Sequence, residues 1–246
     1  MAHVINWFDK IDSTNNEAFR QVETAPDMSV FAAKFQTNGR GQKGNSWESA
    51  AGKNLTFSIL LKPTFIPVEK QFLISQMVAL GILGYLSKNG IAAKIKWPND
   101  IYVENNKICG ILIEHHICGA NLSASIIGIG LNVNQKVFNS DAPNPYSMYI
   151  ADGLERTLEV ELESLVCHIF ELYSKLKSAP GYAPEMEQSY HENLYRRNEF
   201  HEYELVNEQR RIKAKIIGVN QYACLLLETE DGAVNNYAFK EIKYIL

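Results

Sequence analysis

Apolar residues recur along the chain with two periods, one of two residues and one of three to four, and the switches between them lay out the elements. His3 to Phe8 alternates as a short strand, and Asp12-Ser-Thr-Asn-Asn-Glu17 then opens an amphipathic helix running to about Thr24. Thr14 and Glu17 have the spacing of a capping box, so the simplest reading of Ser13, Thr14 and Asn15 is helix capping. The alternative is that these polar groups bind the polar head of a ligand beside helix N-terminal amides. Two apolar runs, one from Phe31 and one from Leu55 to Leu61, bracket a polar, glycine-bearing stretch and read as strands. Val68 to Lys88 carries Phe72, Leu73, Met77, Leu80, Leu83 and Leu86 at helical spacing and stops at Asn89-Gly90.

Short strands follow: Ile91 to Trp97, Ile101 to Val103, Lys107 to His115 and Asn121 to Asn132, with turns at Pro98-Asn-Asp100 and Glu104-Asn-Asn106. Residues 135 to 152, with Pro143 and Pro145, read as a long surface loop. Leu154 to Lys177 has one leucine-rich stripe and reads as a helix, and a shorter helix spans Pro184 to Leu194. From Arg197 the pattern changes to short strands at Tyr203 to Val206, Arg211 to Val219, Ala223 to Glu228 and Ala233 to Phe239. The expected architecture is α+β: a mixed or antiparallel sheet flanked by helices over residues 1–194, followed by a small β-barrel over 195–246.

Composition narrows the function classes. With 46% hydrophobic and 21% charged residues the chain reads as an ordinary soluble protein, and its net charge of -4 argues against general nucleic-acid binding. No stretch reaches the roughly 18 apolar residues of a membrane span. The start, Met-Ala-His-Val-Ile-Asn-Trp7, lacks the features of a secretion signal, so a cytoplasmic location is expected. Cys109, Cys118, Cys167 and Cys224 are widely spaced, which favours buried free thiols over a metal or disulfide framework. His115 and His116 are adjacent in a strand and face opposite sides, so one metal site cannot easily use both.

The polar stretch between the two apolar runs, Gln36-Thr-Asn-Gly-Arg-Gly-Gln-Lys-Gly-Asn-Ser-Trp47, has the chemistry of an anion-binding loop. Gly39, Gly41 and Gly44 allow close backbone approach, Arg40 offers a planar fork for phosphate or carboxylate oxygens, and Lys43 adds a mobile charge. Gly39 to Gly44 also matches G-x-G-x-x-G, but a dinucleotide fingerprint opens a helix and is followed about 20 residues later by an acid. Here a polar segment and then a strand follow, and no H-R-D or D-F-G accompanies a kinase-type loop.

Three later stretches place polar or glycine residues inside apolar strands: Lys96-Trp-Pro-Asn-Asp-Ile101, Lys107-Ile-Cys-Gly-Ile-Leu-Ile-Glu114 and Gly128-Ile-Gly-Leu-Asn-Val-Asn134. Such residues cost stability unless a ligand or partner uses them. Each alone has a plain reading, as a hairpin lysine, a turn or a bulge. Together with Ser13-Thr-Asn15 and the Arg-Gly loop, in this order, they resemble biotin protein ligases over nearly the whole chain.

The resemblance implies an α/β catalytic domain with an SH3-like C-terminal domain, and a reaction that joins biotin to AMP with ATP and passes biotin to one lysine of a carboxylase carrier domain. It places Ser13, Thr14, Asn15 and Gln36 at the biotin head, and Gly39, Arg40, Gly41, Gln42 and Lys43 at the carboxylate and phosphate. Trp47, Asn99 and Asn132 fall on the nucleotide side, Lys107 between carboxylate and phosphate, and Gly110, Leu112 and Gly128 on the strands of the biotin pocket. The implied adenylation needs no general base, because the biotin carboxylate is ionised at neutral pH; it needs cations that hold two anions together, here Arg40, Lys43, Lys107 and Mg²⁺ carried by ATP. The acceptor lysine must lose a proton, its ordinary pKa being about 10.4, and Asp100 is the candidate to orient it. No protein-bound metal is expected, and the enzyme would act as a monomer or homodimer.

Three competing readings remain at this point. A ligase of the same broad fold could transfer lipoyl or octanoyl groups, though the full Arg-Gly loop and Lys-Trp-Pro-Asn-Asp favour biotin. A biotin-responsive repressor would need an N-terminal DNA-binding domain, and a strand starting at His3 leaves no room for a helix-turn-helix. A non-catalytic binder would not need Lys107 and Arg40. The chain departs from the family pattern where Gln42 replaces a frequent second Arg and Asn45 another basic residue. Gln42 can hydrogen-bond phosphate without neutralising it, which predicts faster loss of the adenylate intermediate than in an Arg-bearing chain. Gln42→Arg should therefore slow adenylate dissociation in a stopped-flow chase, and equal rates would refute the expectation.

Overall fold

The computed structural model describes residues 4–42, 47–139 and 144–245. Its main sheet contains β1 (Ile5–Phe8), β2 (Ser29–Ala33), β3 (Leu55–Leu61), β4 (Lys94–Lys96), β5 (Asp100–Val103), β6 (Asn106–Cys118) and β7 (Asn121–Leu131). The strands lie in the order β1-β2-β3-β7-β6-β5-β4, with β1 parallel to β2 and every other pair antiparallel. β2 and β3 are buried at every position.

Alternation sorts the side chains of these strands onto two faces. Val30, Ala32, Leu55, Phe57, Ile59, Leu61, Ile127, Ile129 and Leu131 join a large apolar core with two long helices, α2 (Phe72–Lys88) and α4 (Leu158–Ser178). The opposite face carries a smaller cluster, in which Phe31, Leu60, Ala124 and Ile126 pack against Ala18 of α1 (Thr14–Arg20). That short helix covers only part of its face. The uncovered part carries Thr56, Ser58, Gly110, Leu112, Gly128 and Gly130, which the strand register brings side by side.

α3 (Met148–Asp152) and α5 (Ala183–Glu192) complete the helices. A second sheet follows, made of β8 (Phe200–Leu205), β9 (Arg210–Val219), β10 (Leu225–Thr229), β11 (Val234–Tyr237) and β12 (Ile242–Tyr244). It is antiparallel throughout, in the order β11-β10-β9-β8-β12. Its inward residues, among them Tyr203, Ile216 and Leu227, belong to the same apolar core as the helices. Polar contacts tie β4 and the turn after it to the segments around the second sheet: Tyr195 N–H donates to Ile95 O at 2.8 Å, and Trp97 Nε1 donates to Ala223 O at 3.0 Å.

The α+β layering follows the hydrophobic pattern, with several local differences. α3 lies inside the stretch read as loop; Ser147 accepts from Ile150 N–H at its start and Gly153 ends it at φ +77°, and five residues are too few to show a period. The strand expected from Ile91 shrinks to Lys94–Lys96, α1 stops at Arg20, and β12 was not foreseen. The thiols divide: Cys109 is buried, but Cys118 and Cys167 are exposed and Cys224 is half-buried, because the first lies at a strand end and the second on the outer side of α4. His115 and His116 do face apart, His115 Nδ1 meeting Ser125 Oγ at 2.8 Å while His116 stacks on Phe19. Among the described residues no helix is long and apolar enough to cross a membrane.

The close crossing of α2 and α4 depends on Gly81. A Cβ there would stand 2.7 Å from Ile169 Cγ1 and 3.0 Å from its Cα. Gly81→Ala should cost about 1–3 kcal/mol of overpacking, more than the roughly 0.8–1 kcal/mol that alanine gains as a helix former. The urea midpoint should fall accordingly.

Candidate functional site

The uncovered part of the sheet face forms the floor of a cavity of about 530 Å³. Register explains why. Thr56 faces Gly130, Gly130 faces Gly110, Gly110 faces Asp100, and Asp100 faces Lys96, giving one row across β3, β7, β6, β5 and β4. A second row two residues away runs Ser58, Gly128, Leu112. The glycines and small hydroxyl residues leave a trough where larger side chains would fill the space.

At one end of the trough lies a polar network built by the start of α1. Thr14 N–H and Thr14 Oγ1 both donate to Gln36 Oε1, at 2.8 and 3.2 Å. Ser58 Oγ lies 2.7 Å from Thr14 Oγ1 and 2.5 Å from Asn15 Oδ1, and Asn15 Nδ2 donates to Glu114 Oε2 at 2.8 Å. Ser13, Thr14 and Asn15 are all buried. The capping reading is therefore corrected: Ser13 occupies the cap position without a side-chain cap bond, and Thr14 turns to Gln36 rather than to its own helix. The reason is competition, since a buried hydroxyl surrounded by partners gains more there than at an exposed helix end. Gly128 completes the corner, because any Cβ would strike Asn15 Oδ1.

Over the trough lie the described parts of the glycine loop, Arg40 to Gln42 and Trp47. Arg40 Nη2 donates to Glu114 Oε2 at 2.6 Å, the same oxygen that accepts from Asn15. Gly39 does not line the cavity; Trp47 N–H donates to its carbonyl at 3.3 Å and closes the neck of the loop. Gly41 and Gln42 line the cavity, whereas Lys43 lies outside the described residues. The Trp47 indole sits on the glycine row, so close that a Cβ at Gly130 would come within 2.6 Å of Nε1 and one at Gly110 within 2.9 Å of Cζ3.

Lys107 stands in the middle of the trough, its Nζ 2.7 Å from Asp100 Oδ1 and 5.6 Å from the Trp47 ring centre. The Asp100 contact is close but poorly aligned, since no hydrogen bond reaches Oδ1. Asn99 lines the cavity with its amide donated to Ile111 O at 2.8 Å. Asn132 is not on the wall: it is buried behind it and donates to Tyr146 O at 2.9 Å, so its sequence-based place on the nucleotide side is not a place in this cavity. Leu112 and Gly110 do line it.

Several wall residues were not singled out from the sequence. Glu114 ends the Lys107 motif and Ser58 lies in an apolar strand, and neither has a signal of its own. Lys96 opens the Lys-Trp-Pro-Asn-Asp motif and was within reach of the reading. Ile242, Lys243 and Tyr244 come from the second sheet and line the far end, which no local pattern could show. Burial pushes the Lys96 ammonium below its usual range, partly offset by the Asp100 charge, and pushes the Tyr102 phenol up to about 12. Chemically, the trough offers a polar corner, then two cations each already held by a carboxylate, then an aromatic and basic end. Such an arrangement can hold a neutral polar head and bring two anionic groups together.

Residues 7–132 match the model of the Biotin/lipoate A/B protein ligase family. The chain is 29% identical over 244 residues to the bifunctional ligase/repressor BirA of Bacillus spizizenii, covering 94% of this chain and 71% of that protein. It is also 29% identical over 126 residues to the biotin--[acetyl-CoA-carboxylase] ligase of Paracoccus denitrificans, covering 50% of this chain and 52% of that protein. A solved structure of the biotin protein ligase from Aquifex aeolicus in complex with biotin and ATP superposes with a TM-score of 0.79 at 25% identity, over 98% of this chain and 99% of that one.

The packing of Trp47 on the glycine row gives a prediction independent of any ligand. Gly130→Ala should expel the indole, seen as increased acrylamide quenching of Trp47 emission when Trp7 and Trp97 are replaced by Phe. Unchanged quenching would show that the ring does not rest there.

Proposed function

Because the chain belongs to the biotin/lipoate A/B protein ligase family, we propose that it is a biotin protein ligase that makes biotinyl-AMP from biotin and ATP and then biotinylates one lysine of a carrier domain. The observation that carries this reading is the trough itself: a buried polar corner and two cations on one sheet face, at successive places along it. A ureido ring offers one carbonyl acceptor and two N–H donors, and the Thr14, Asn15, Gln36 and Ser58 corner presents both kinds of group. The aliphatic tail of biotin then lies along Gly128 and Leu112 towards Gly110, where the Trp47 ring and Lys107 stand.

In the first step a carboxylate oxygen of biotin forms a bond to the α-phosphorus, and the bond from that phosphorus to the bridging oxygen breaks, the electron pair leaving with pyrophosphate. Both reactants are anions, so the catalytic work is to hold them together and offset the charge that builds in the transition state. Lys107 is the residue for that position, and Arg40 is the second cation on the trough. Their carboxylate partners, Asp100 and Glu114, are given up as the substrate anions take their place. ATP brings Mg²⁺ as part of the substrate, held mainly by phosphates and water. Gln42, Asn99 and Trp47 serve the nucleotide side, and Lys43 the phosphates.

In the second step the acceptor amine attacks the acyl carbon, AMP leaves with the electron pair of the broken bond, and the amine loses a proton. Asp100, released from Lys107, is the carboxylate beside that bond. The partner is a biotin carboxyl carrier domain of a biotin-dependent carboxylase. We assign the chemistry to residues 1–194 and the cover of the far end to 195–246, and place the reaction in the cytoplasm, where the chain acts as a monomer or homodimer without DNA.

The test is exchange of labelled pyrophosphate into ATP with biotin, lipoate or octanoate and no acceptor present. Biotin alone should support it; exchange with lipoate would move the chain to the other ligase of this fold, and none with any acid would overturn catalysis. Lys107→Ala should lower the biotin-dependent rate by about 100- to 1,000-fold, with an unchanged circular dichroism spectrum.

A further inference from the structure

Among the described residues, four basic side chains line the cavity: Arg40, Lys96, Lys107 and Lys243. Three have a carboxylate within ion-pair distance, Arg40 with Glu114 at 2.6 Å, Lys107 with Asp100 at 2.7 Å and Lys243 with Glu204 at 3.7 Å. Lys96 has none among the described residues. Its Nζ is instead held between two aromatic rings, 4.9 Å from the centre of Tyr102 and 4.7 Å from that of Tyr244. Cation–π contacts compensate a desolvated ammonium only in part, and burial disfavours the charge here. The nearest carboxylate, Asp100 across the strand pair, is engaged by Lys107, and a half-buried cation with no carboxylate in ion-pair contact is a place where an anion gains more than at an already neutralised one.

Position says which anion. In the row Thr56, Gly130, Gly110, Asp100, Lys96, the lysine is two strands beyond Gly110, roughly 10 Å at the usual strand spacing. Lys107 lies over Gly110, its Nζ 3.4 Å from where a Cβ would be. A ligand whose polar head fills the Asn15 and Ser58 corner, and whose reacting anions meet at Lys107, therefore has Lys96 on the side away from its head. We infer that Lys96 binds the pyrophosphate leaving group, the β- and γ-phosphates of ATP, with Tyr244 of the second sheet holding the ammonium in place. This rests on the ligase reading above and adds to it the residue that receives the departing charge. It also gives the second sheet a defined part in the first step: β12 supplies the ring that keeps Lys96 over the trough.

The experiment measures reverse adenylation, in which purified biotinyl-adenylate and pyrophosphate give ATP, for wild type, Lys96→Met and Lys96→Arg. Lys96→Met should raise the KM for pyrophosphate at least tenfold, and Lys96→Arg should stay within about threefold of wild type because the charge is kept. Biotin transfer from preformed adenylate to a carrier domain, where no pyrophosphate takes part, should change less than twofold in both variants. A pyrophosphate KM for Lys96→Met within twofold of wild type, or an equal loss in the transfer step, would overturn the assignment. Wild-type enzyme that makes no ATP from the adenylate would overturn the ligase reading itself, a result distinct from any difference among the variants.

Discussion

The site depends on the register between β6 and β7. Gly110 opposite Gly130, and Leu112 opposite Gly128, put three glycines on the same face of two adjacent strands. Glycine in a strand interior weakens it, for it has no side chain to pack and more freedom to lose. Here the loss is what leaves the trough open, and the neighbours make it up on the other face, where Ile111, Ile127, Ile129 and Leu131 enter the core. A slip of one residue would exchange the faces, filling the trough with isoleucine and directing glycine at α2 and α4. The large core thus fixes the register, and the register fixes the cavity.

Charge in the trough is arranged for exchange. Glu114 Oε2 accepts from both Asn15 and Arg40, so one oxygen joins the polar corner to the glycine loop. Both partners of the Arg40 pair are more than a third exposed, and such pairs contribute about 0–1 kcal/mol. Breaking it to meet a substrate anion costs little. The Lys107–Asp100 pair is less exposed, at 31% and 16%, and lacks good hydrogen-bond alignment. It keeps the lysine placed without holding it tightly. Carboxylate partners also keep the trough from being a concentration of uncompensated positive charge.

The sequence showed the motifs and their order, the helical stripes of α2 and α4, and the two classes of strand, because each is a local pattern of apolar spacing or glycine and charge. It showed less where residues distant in the chain meet. Thr14 and Glu17 fit a capping box locally, and only the approach of Gln36 and Ser58, 22 and 44 residues away, turns Thr14 into the floor of a cavity. Asn132 sits in a motif with Gly128 and Gly130 yet turns its amide to Tyr146, because β7 ends at Leu131 and the alternation that puts the two glycines on the trough stops one residue before it. Ser58 and Glu114 were invisible for the opposite reason: a serine in a strand and a strand-end glutamate are common, and their role comes entirely from what faces them.

The second sheet illustrates the same limit at larger scale. Its strands were legible as a change of period, but their relation to the trough was not, because the contacts are made by a few side chains of high sequence separation. Trp97, inside the Lys-Trp-Pro-Asn-Asp motif, donates its indole N–H to Ala223 and packs edge-on against Phe239. Its neighbour Lys96 reaches the opposite way, to Tyr102 and Tyr244. Trp97 directly follows β4, so this short edge strand and the turn that leaves it do two jobs. Trp97 anchors the second sheet, and Lys96, one residue earlier, presents its charge to the cavity under that sheet's last strand. Both contacts reach the second sheet, so the placement of that sheet bears on the anchor and on the charge together.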